Sequence, residues 1–219
     1  MQQEINLLSK LPRGKRNVNA RAEAKTDEII AISRQYGELY FDGPRKYGYG
    51  GYRYDGRWIP VAEDMVKHFD LKPGDRVLDV GCGKGFLVKD LIKVCPGLEA
   101  FGLDISEYAL MHCEPEVIGR LHLGTAERLP FPDRGFDCAL SINTVHDFPR
   151  SRAVGVLREI ERVSGGHAFV QVDSFYTSQQ KEIFESWVLC AQYYDFPNGW
   201  KELFQEAGYS GDYYWTIIE

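Results

Sequence analysis

Apolar residues recur along this chain with two different periods, and their alternation sets out the fold. "RVLDVGCG" (76–83) is a short apolar run closed by glycines, which reads as a buried strand. "GFLVKDLIKVC" carries helical spacing, "EAFGLDIS" reads as a second strand, and "EYALMHC" starts another helix. "LHLGTA" gives a short strand and "FDCALSINTV" a longer one. Ser151–Val163 reads as a helix with Ala153, Val156, Leu157 and Ile160 facing inward. "HAFVQVDSF" is a further strand, and "QQKEIFESWVLCA" a helix with Phe184, Trp187, Val188 and Ala191 on one side. Trp200, Leu203, Phe204 and Ala207 mark a last helix before a final strand, "GDYYWTIIE". Strands alternating with crossover helices predict an α/β fold: a doubly wound, mostly parallel sheet with helices on both faces.

The first third of the chain follows other rules. Residues 1–20 are polar and basic with little periodicity and read as a mobile tail, with "INLL" docked. Ala20–Tyr40 reads as one helix, with Ile29, Ile32 and Tyr36 near one face. Pro60 opens a second helix whose Ala62, Met65, Val66 and Phe69 form a buried stripe, ended by the turn "DLKPGDR". Between these two helices lies "RKYGYGGYRYDGRW" (45–58), with four tyrosines, four glycines and four basic side chains. Glycine at that density opposes helix, and tyrosine at that density opposes disorder. A packed structural turn and a cover over a binding site both satisfy the pattern. The chain divides accordingly into an N-terminal tail, helix and cover segment (1–58) and an α/β domain (59–219).

Composition narrows the function classes. A chain of 219 residues with 44% apolar content is long enough to bury one sizeable core. No apolar run approaches the roughly eighteen residues of a membrane span, and the N-terminus is too polar for a signal peptide. Five cysteines, an odd count without a C-x-x-C pair, lead to the expectation of reduced thiols in a cytosolic protein with no metal site. Residues 1–60 hold 11 Lys and Arg against 7 Asp and Glu, so the net −6 places −10 on the rest. An acidic body argues against broad nucleic-acid binding, while the basic front can attract an anionic small molecule.

The chemistry concentrates where the first strand ends. In open parallel sheets, ligands bind beyond the carboxyl ends of the strands. "LDVGCGKGF" places Gly81, Gly83 and Gly85 there, so main chain can approach a ligand without Cβ obstruction. Nineteen residues after Gly85, Asp104 ends the second strand, where a carboxylate can accept both hydroxyl hydrogens of a ribose. Phe86 stands where the dinucleotide pattern G-x-G-x-x-G needs its third glycine, and no Lys-Ser/Thr follows as in a phosphate loop. An adenosine-like ligand of another kind remains.

At these residues the chain resembles the class I S-adenosylmethionine-dependent methyltransferases. "VLDVGCGKG" is similar to their first motif and "GLDIS" to their second. "GTAERLPFPDRGFDCALSINTVHDF" is similar to their adenine-side loop and fourth strand; the likeness covers roughly residues 59–175. The resemblance implies a Rossmann-like sheet of the seven-strand type, its last strands shortened here, and S-adenosylmethionine as cofactor with S-adenosylhomocysteine as product. It implies that Asp79, Gly81 and Gly83 hold the methionine end, with Cys82 a small residue in the turn and Gly85 admitting the next helix. Asp104 would take the ribose and Ile105 the adenine face. Ala126 and Glu127 would meet the adenine edge, and the Asn143 carbonyl the cofactor's amino group. Many relatives carry Asp where this chain has Thr125, which moves the expected adenine carboxylate to Glu127.

The acceptor side is read from "SINTVHDF" and "VQVDSF". His146 is the candidate base because its ordinary pKa lies near neutrality, with Asp147 assisting and Asp173 binding the acceptor. His146, Asp147 and Asp173 do not demand a metal. "SINT" also lacks the amide-stacking tyrosine of relatives that methylate amides or adenine. Tyr47, Tyr52, Arg53 and Arg57 are expected to close the site, an arginine pairing with an anionic acceptor or the cofactor's carboxylate. The expected activity is methyl transfer to a small polar, phosphorylated or sugar-like metabolite, O-methylation favoured over N-methylation. Alternatives are a protein or RNA methyltransferase docking through the basic N-terminus, a module that holds the cofactor without turnover, and carboxymethyl transfer.

Overall fold

A computed structural model describes residues 2–12 and 18–217, the side chains of Val18 and Asn19 excepted. Residues 13–17 of the basic tail, and the final Ile218 and Glu219, lie outside the described residues.

Six strands form one sheet, every pairing parallel: β1 (Arg76–Val80), β2 (Glu99–Asp104), β3 (Leu121–Leu123), β4 (Cys138–Ile142), β5 (Ala168–Ser174) and β6 (Asp212–Ile217). Their order is β3-β2-β1-β4-β5-β6, so the chain reverses its direction of travel across the sheet between β1 and β4. The carboxyl ends of those two strands open the crevice in which such sheets bind ligands. The expected shortening of the seven-strand pattern is present: six strands among the described residues, with β6 parallel to β5.

Helices cover both faces. α4 (Ile59–His68) and α5 (Phe86–Val94) bury Val61, Met65, Leu87 and Leu91 against Val77 and Leu140. On the other face, α7 (Arg150–Ser164) and α9 (Pro197–Ala207) bury Leu157, Ile160, Trp200 and Phe204 against Leu78, Val80 and Val170. Val77 and Leu78 are adjacent yet face opposite layers, as strand geometry requires. Both layers are closed by full burial of large side chains, which fixes the height of the strand ends.

Three expectations change at the edges. The helix read over Ala20–Tyr40 is three pieces, α1 (Val18–Ala24), α2 (Asp27–Ser33) and α3 (Glu38–Phe41). Thr26 caps α2 by accepting the Ile29 amide, and Tyr36 adopts φ +50, which no continuous helix allows. The helix read through Ala191 is α8 (Ser178–Trp187), because Val188 turns to extended backbone. Leu189 and Cys190 then pack on Ile29 of α2, and Asp195 makes one parallel bridge to Ser174. The tail is docked further than "INLL" suggested: Ile5 donates to the Tyr213 carbonyl at 2.9 Å and Tyr213 to the Gln3 carbonyl at 3.1 Å. That pairing covers the open edge of β6, while Leu7 sinks into the α4–α5 layer.

Two short helical elements follow strands β2 and β4: α6 (Glu107–Met111), capped by Ser106, and a 3-10 turn over Val145–Asp147. The 3-10 turn carries Asp147, and Ile105 stands just ahead of α6; both line the crevice.

Candidate active site

The glycine turn and Asp104 form one unit. Asp104 Oδ2 accepts the Gly83 amide at 2.7 Å, and Oδ1 accepts the Ser106 amide at 2.8 Å. Each carboxylate oxygen keeps a second lone pair, as two ribose hydroxyls require. Burial pushes the Asp104 pKa up, and the amides of Ser106, Gly83 and Ile105 pull against it. Gly81 has φ +86, and a Cβ there would overlap the Thr144 side chain. Only glycine lets the end of β1 pass the start of the 3-10 turn so closely.

A cavity of about 290 Å³ opens beside this turn. Ten of the residues expected at the site line it: Asp79, Gly81, Cys82, Gly83, Asp104, Ile105, Ala126, Asn143, Asp147 and Tyr52. Asp79 is pushed up to about 7 by burial first and by the Asp104 charge second. A buried acid in that state favours a cationic ligand group beside it. Ile105 is 59% exposed at the rim, an apolar surface suited to a base. Asn143 takes φ +56, a conformation asparagine tolerates better than most residues, and its amide is held by Gln171. Paired acceptor sites at Asp104, a buried carboxyl at Asp79 that a cationic ligand group would ionise, and a glycine-lined approach fit S-adenosylmethionine.

Other expected residues stand elsewhere. Gly85 caps α5 in the left-handed conformation, and a Cβ there would press on Leu121 and Val117; its part is packing of the turn, outside the cavity wall. Glu127 is gripped by a two-pronged ion pair from Arg152, which holds its pKa below the usual range. Thr125 and Arg152 line the cavity, and Glu127 does not. Arg57 forms a salt bridge with Asp55 on the surface, Arg53 is exposed, and Tyr47 packs with Ile29 and Leu189. None of these three lines the cavity.

His146 and Asp173 face the interior of the sheet end. His146 Nδ1 accepts the Asp173 amide at 3.1 Å, which puts the proton of the neutral ring on Nε2. With its lone pair engaged and its side chain 6% exposed, the ring has nothing to offer an acceptor proton. Asp173 is buried beside it, its carbonyl accepting the Trp200 indole N–H. Asp147 alone of the three lines the cavity. Its Oδ2 accepts the Tyr36 hydroxyl at 2.9 Å; its Oδ1, buried without a hydrogen bond, lies 3.6 Å from His146 Nε2. Burial raises its pKa to about 6. Among the described residues, no group of three or more His, Cys, Asp and Glu side chains is placed to hold a metal ion.

The rest of the wall comes partly from the 45–58 stretch expected as a cover (Tyr49, Trp58) and partly from Arg34, Tyr36, Tyr40, Phe41 and Gln192, which the sequence did not single out for the site. Tyr36, Tyr40, Phe41, Tyr49 and Trp58 join Tyr52 to form an aromatic side, with Arg34 and Gln192 at its polar end. "YGELYF" just ahead of the tyrosine-glycine stretch was the available signal, hidden by treating Ala20–Tyr40 as one helix. Three side chains tether the loop itself: Arg21 and Arg45 donate to the Gly48 carbonyl, and Tyr54 donates to Asp90 at 2.6 Å. It is a folded cover.

Comparison with known proteins agrees with the fold. Residues 78–170 match a family model described as "Methyltransferase domain". The chain is 32% identical over 166 residues to a sterol 24-C-methyltransferase of Gibberella zeae, spanning 67% of this chain and 42% of that one. It is 35% identical over 119 residues to a demethylmenaquinone methyltransferase of Symbiobacterium thermophilum, spanning 49% and 45%. The chain thus spans less than half the length of these curated relatives. A solved complex of a putative methyltransferase with the Haloferax volcanii Trm112 methyltransferase activator shares the fold, with TM-score 0.55, 21% identity and coverage of 67% and 66%. A putative sarcosine dimethylglycine methyltransferase from Galdieria sulphuraria does so with TM-score 0.54, 17% identity and coverage of 69% and 61%. No helix among the described residues is long and apolar enough to cross a membrane. Motifs, sheet order and crevice converge: the chain carries a class I S-adenosylmethionine-dependent methyltransferase domain, and the cofactor its family implies is S-adenosylmethionine.

Proposed function

We propose that this protein transfers a methyl group from S-adenosylmethionine to a small polar acceptor held between the aromatic wall and Asp147. The observation that carries this reading is the cavity itself, whose wall includes both the Gly83–Asp104 unit and the Asp147 and Arg34 side chains. The cofactor, when bound, supplies an electrophilic methyl group; transfer is an in-line displacement whose rate depends on holding the nucleophile in place. Asp104 holds the ribose hydroxyls, and Asp79 favours the cationic methionine end. The aromatic cover excludes water.

Asp147 takes the base role first expected of His146. It lies on the cavity wall with a pKa near 6, so at neutral pH it is ionised and can accept a proton from an acceptor hydroxyl. Tyr36, whose hydroxyl burial and the Asp147 charge keep protonated, orients that carboxylate. This favours O-methylation. Arg34, which donates to the Ala191 carbonyl at 3.5 Å and lines the cavity, replaces Arg57 as the cation able to meet an anionic group on the acceptor. The relatives' names span sterols and demethylmenaquinone, so no acceptor is transferred from any one of them.

Two measurements test the reading. Isothermal titration should show S-adenosylhomocysteine binding, and mass spectrometry of a metabolite extract incubated with enzyme and cofactor should show a species gaining the mass of one methylene. Binding without any such product would favour a module that holds the cofactor without turnover.

A further inference from the structure

The cover meets the glycine turn at one charged point. Asp42, directly after α3, accepts the Lys84 ammonium at 2.6 Å and the Tyr108 hydroxyl at 2.8 Å on Oδ2. Its Oδ1 accepts the Tyr52 amide at 3.1 Å. Lys84 belongs to the glycine turn, Tyr108 to α6 behind Asp104, and Tyr52 to the tyrosine-glycine stretch. One carboxylate therefore ties together the cover, the cofactor turn and the helix that follows the ribose-binding acid. The Lys84 side chain is 8% exposed and that of Asp42 27%, so solvent screens this pair less than a surface pair.

The tie fixes the position of two rings. A Cβ built on Gly83 would stand 3.4 Å from the Phe41 ring and 3.5 Å from the Tyr52 ring, so both rings lie over the turn, spaced to touch any side chain placed there. Phe41 is the residue before Asp42, and Tyr52 is held through its own amide. Tyr52 in turn stacks on Phe86 at 4.6 Å and packs on Tyr49 at 4.3 Å. Phe41, Tyr49 and Tyr52 all line the cavity.

We infer that Asp42 is a positioning residue that latches the aromatic cover over the cofactor turn, and that cofactor exchange requires this latch to open. The inference rests on the proposed cofactor site. Rings that lie over the turn must move aside for a ligand to enter or leave, and the ties that hold them set the cost of that movement. Ring contacts alone are non-directional and permit sliding. The Asp42 hydrogen bonds fix one arrangement and are lost together when the cover lifts.

Stopped-flow tryptophan fluorescence on the full chain, with Trp58 in the cavity wall as reporter, follows binding and release of S-adenosylhomocysteine. Asp42→Asn is expected to raise the release rate about tenfold, the size of a lost charge-assisted bond. Tyr108→Phe, which removes one donor from the same oxygen, should raise it about threefold. Asp42→Glu should recover part of the loss. In the background of Lys84→Gln, Asp42→Asn should add little, because the two share one interaction. Release rates within about twofold of the parent in both Asp42→Asn and Tyr108→Phe would overturn the latch. So would an affinity loss carried only by slower association, the mark of a deformed site. Melting curves identify a variant that fails to fold, and Tyr108→Phe then decides. Failure of the parent protein to bind S-adenosylhomocysteine would overturn the cofactor site itself, a result distinct from failure of the latch.

Discussion

The Asp104 carboxylate accepts the Gly83 amide at 2.7 Å, joining the end of β2 to the turn after β1 by a bond within the protein itself. A preorganised acceptor loses little entropy on binding. Replacing Asp104 by Ala should weaken S-adenosylhomocysteine binding by about 1–3 kcal/mol through loss of two hydroxyl contacts. Titration calorimetry reads this directly, and unchanged affinity would remove Asp104 from the site.

Asp79 links ligand binding to pH. Its folded-state pKa near 7 lies above the ordinary carboxylate value, so the folded protein holds a proton that the unfolded chain releases. Its contribution to stability is therefore full below the ordinary value and is lost as pH rises through about 7. The ligand-free protein should melt at progressively lower temperature across that range. Asp79→Asn should flatten the decline while weakening binding of a cofactor with a cationic methionine end. A parallel decline in the variant would show that other groups control it.

Asp147 and His146 make opposite predictions. Asp147→Asn should reduce methyl transfer by about 10²–10⁴-fold, the range of general-base contributions, with S-adenosylhomocysteine affinity nearly unchanged. In the parent, kcat/KM should rise with pH through about 6 as Asp147 ionises. His146→Gln retains a side-chain polar group and should reduce turnover much less, since the ring's lone pair is already engaged by the Asp173 amide. A larger loss at His146 than at Asp147 would return the base role to the histidine.

Arg57 is predicted to be silent. It is half-exposed and paired with its near neighbour Asp55, so Arg57→Ala should change stability by no more than about 0.5 kcal/mol. Binding of S-adenosylhomocysteine should also be unaffected. Arg34→Gln should instead raise the acceptor KM with little change in cofactor affinity, because Arg34 lines the cavity. Substrate-saturation curves distinguish the two.

The local pattern of residues determined a great deal. Strand-helix alternation from Arg76 onward predicted the parallel sheet. The glycines after β1 and the acid ending β2 pointed to the crevice proposed to hold the cofactor, because backbone freedom and a carboxylate able to accept ribose hydroxyls are properties of individual residues at fixed places along two strands. What the pattern could not determine was which side chains come together across the crevice. Arg53 and Arg57 looked right by composition, yet the chain turns them outward, while Arg34 and Tyr36 enter through a break at a left-handed tyrosine that helical periodicity conceals. His146 and Asp147 are neighbours in sequence with similar claims to chemistry. Only the position of β5, whose Asp173 amide occupies the histidine's lone pair, separates a packed ring from an acid on the cavity wall. Such assignments depend on hydrogen bonds between residues distant in sequence, and those exist only once both layers of the core have closed around the sheet.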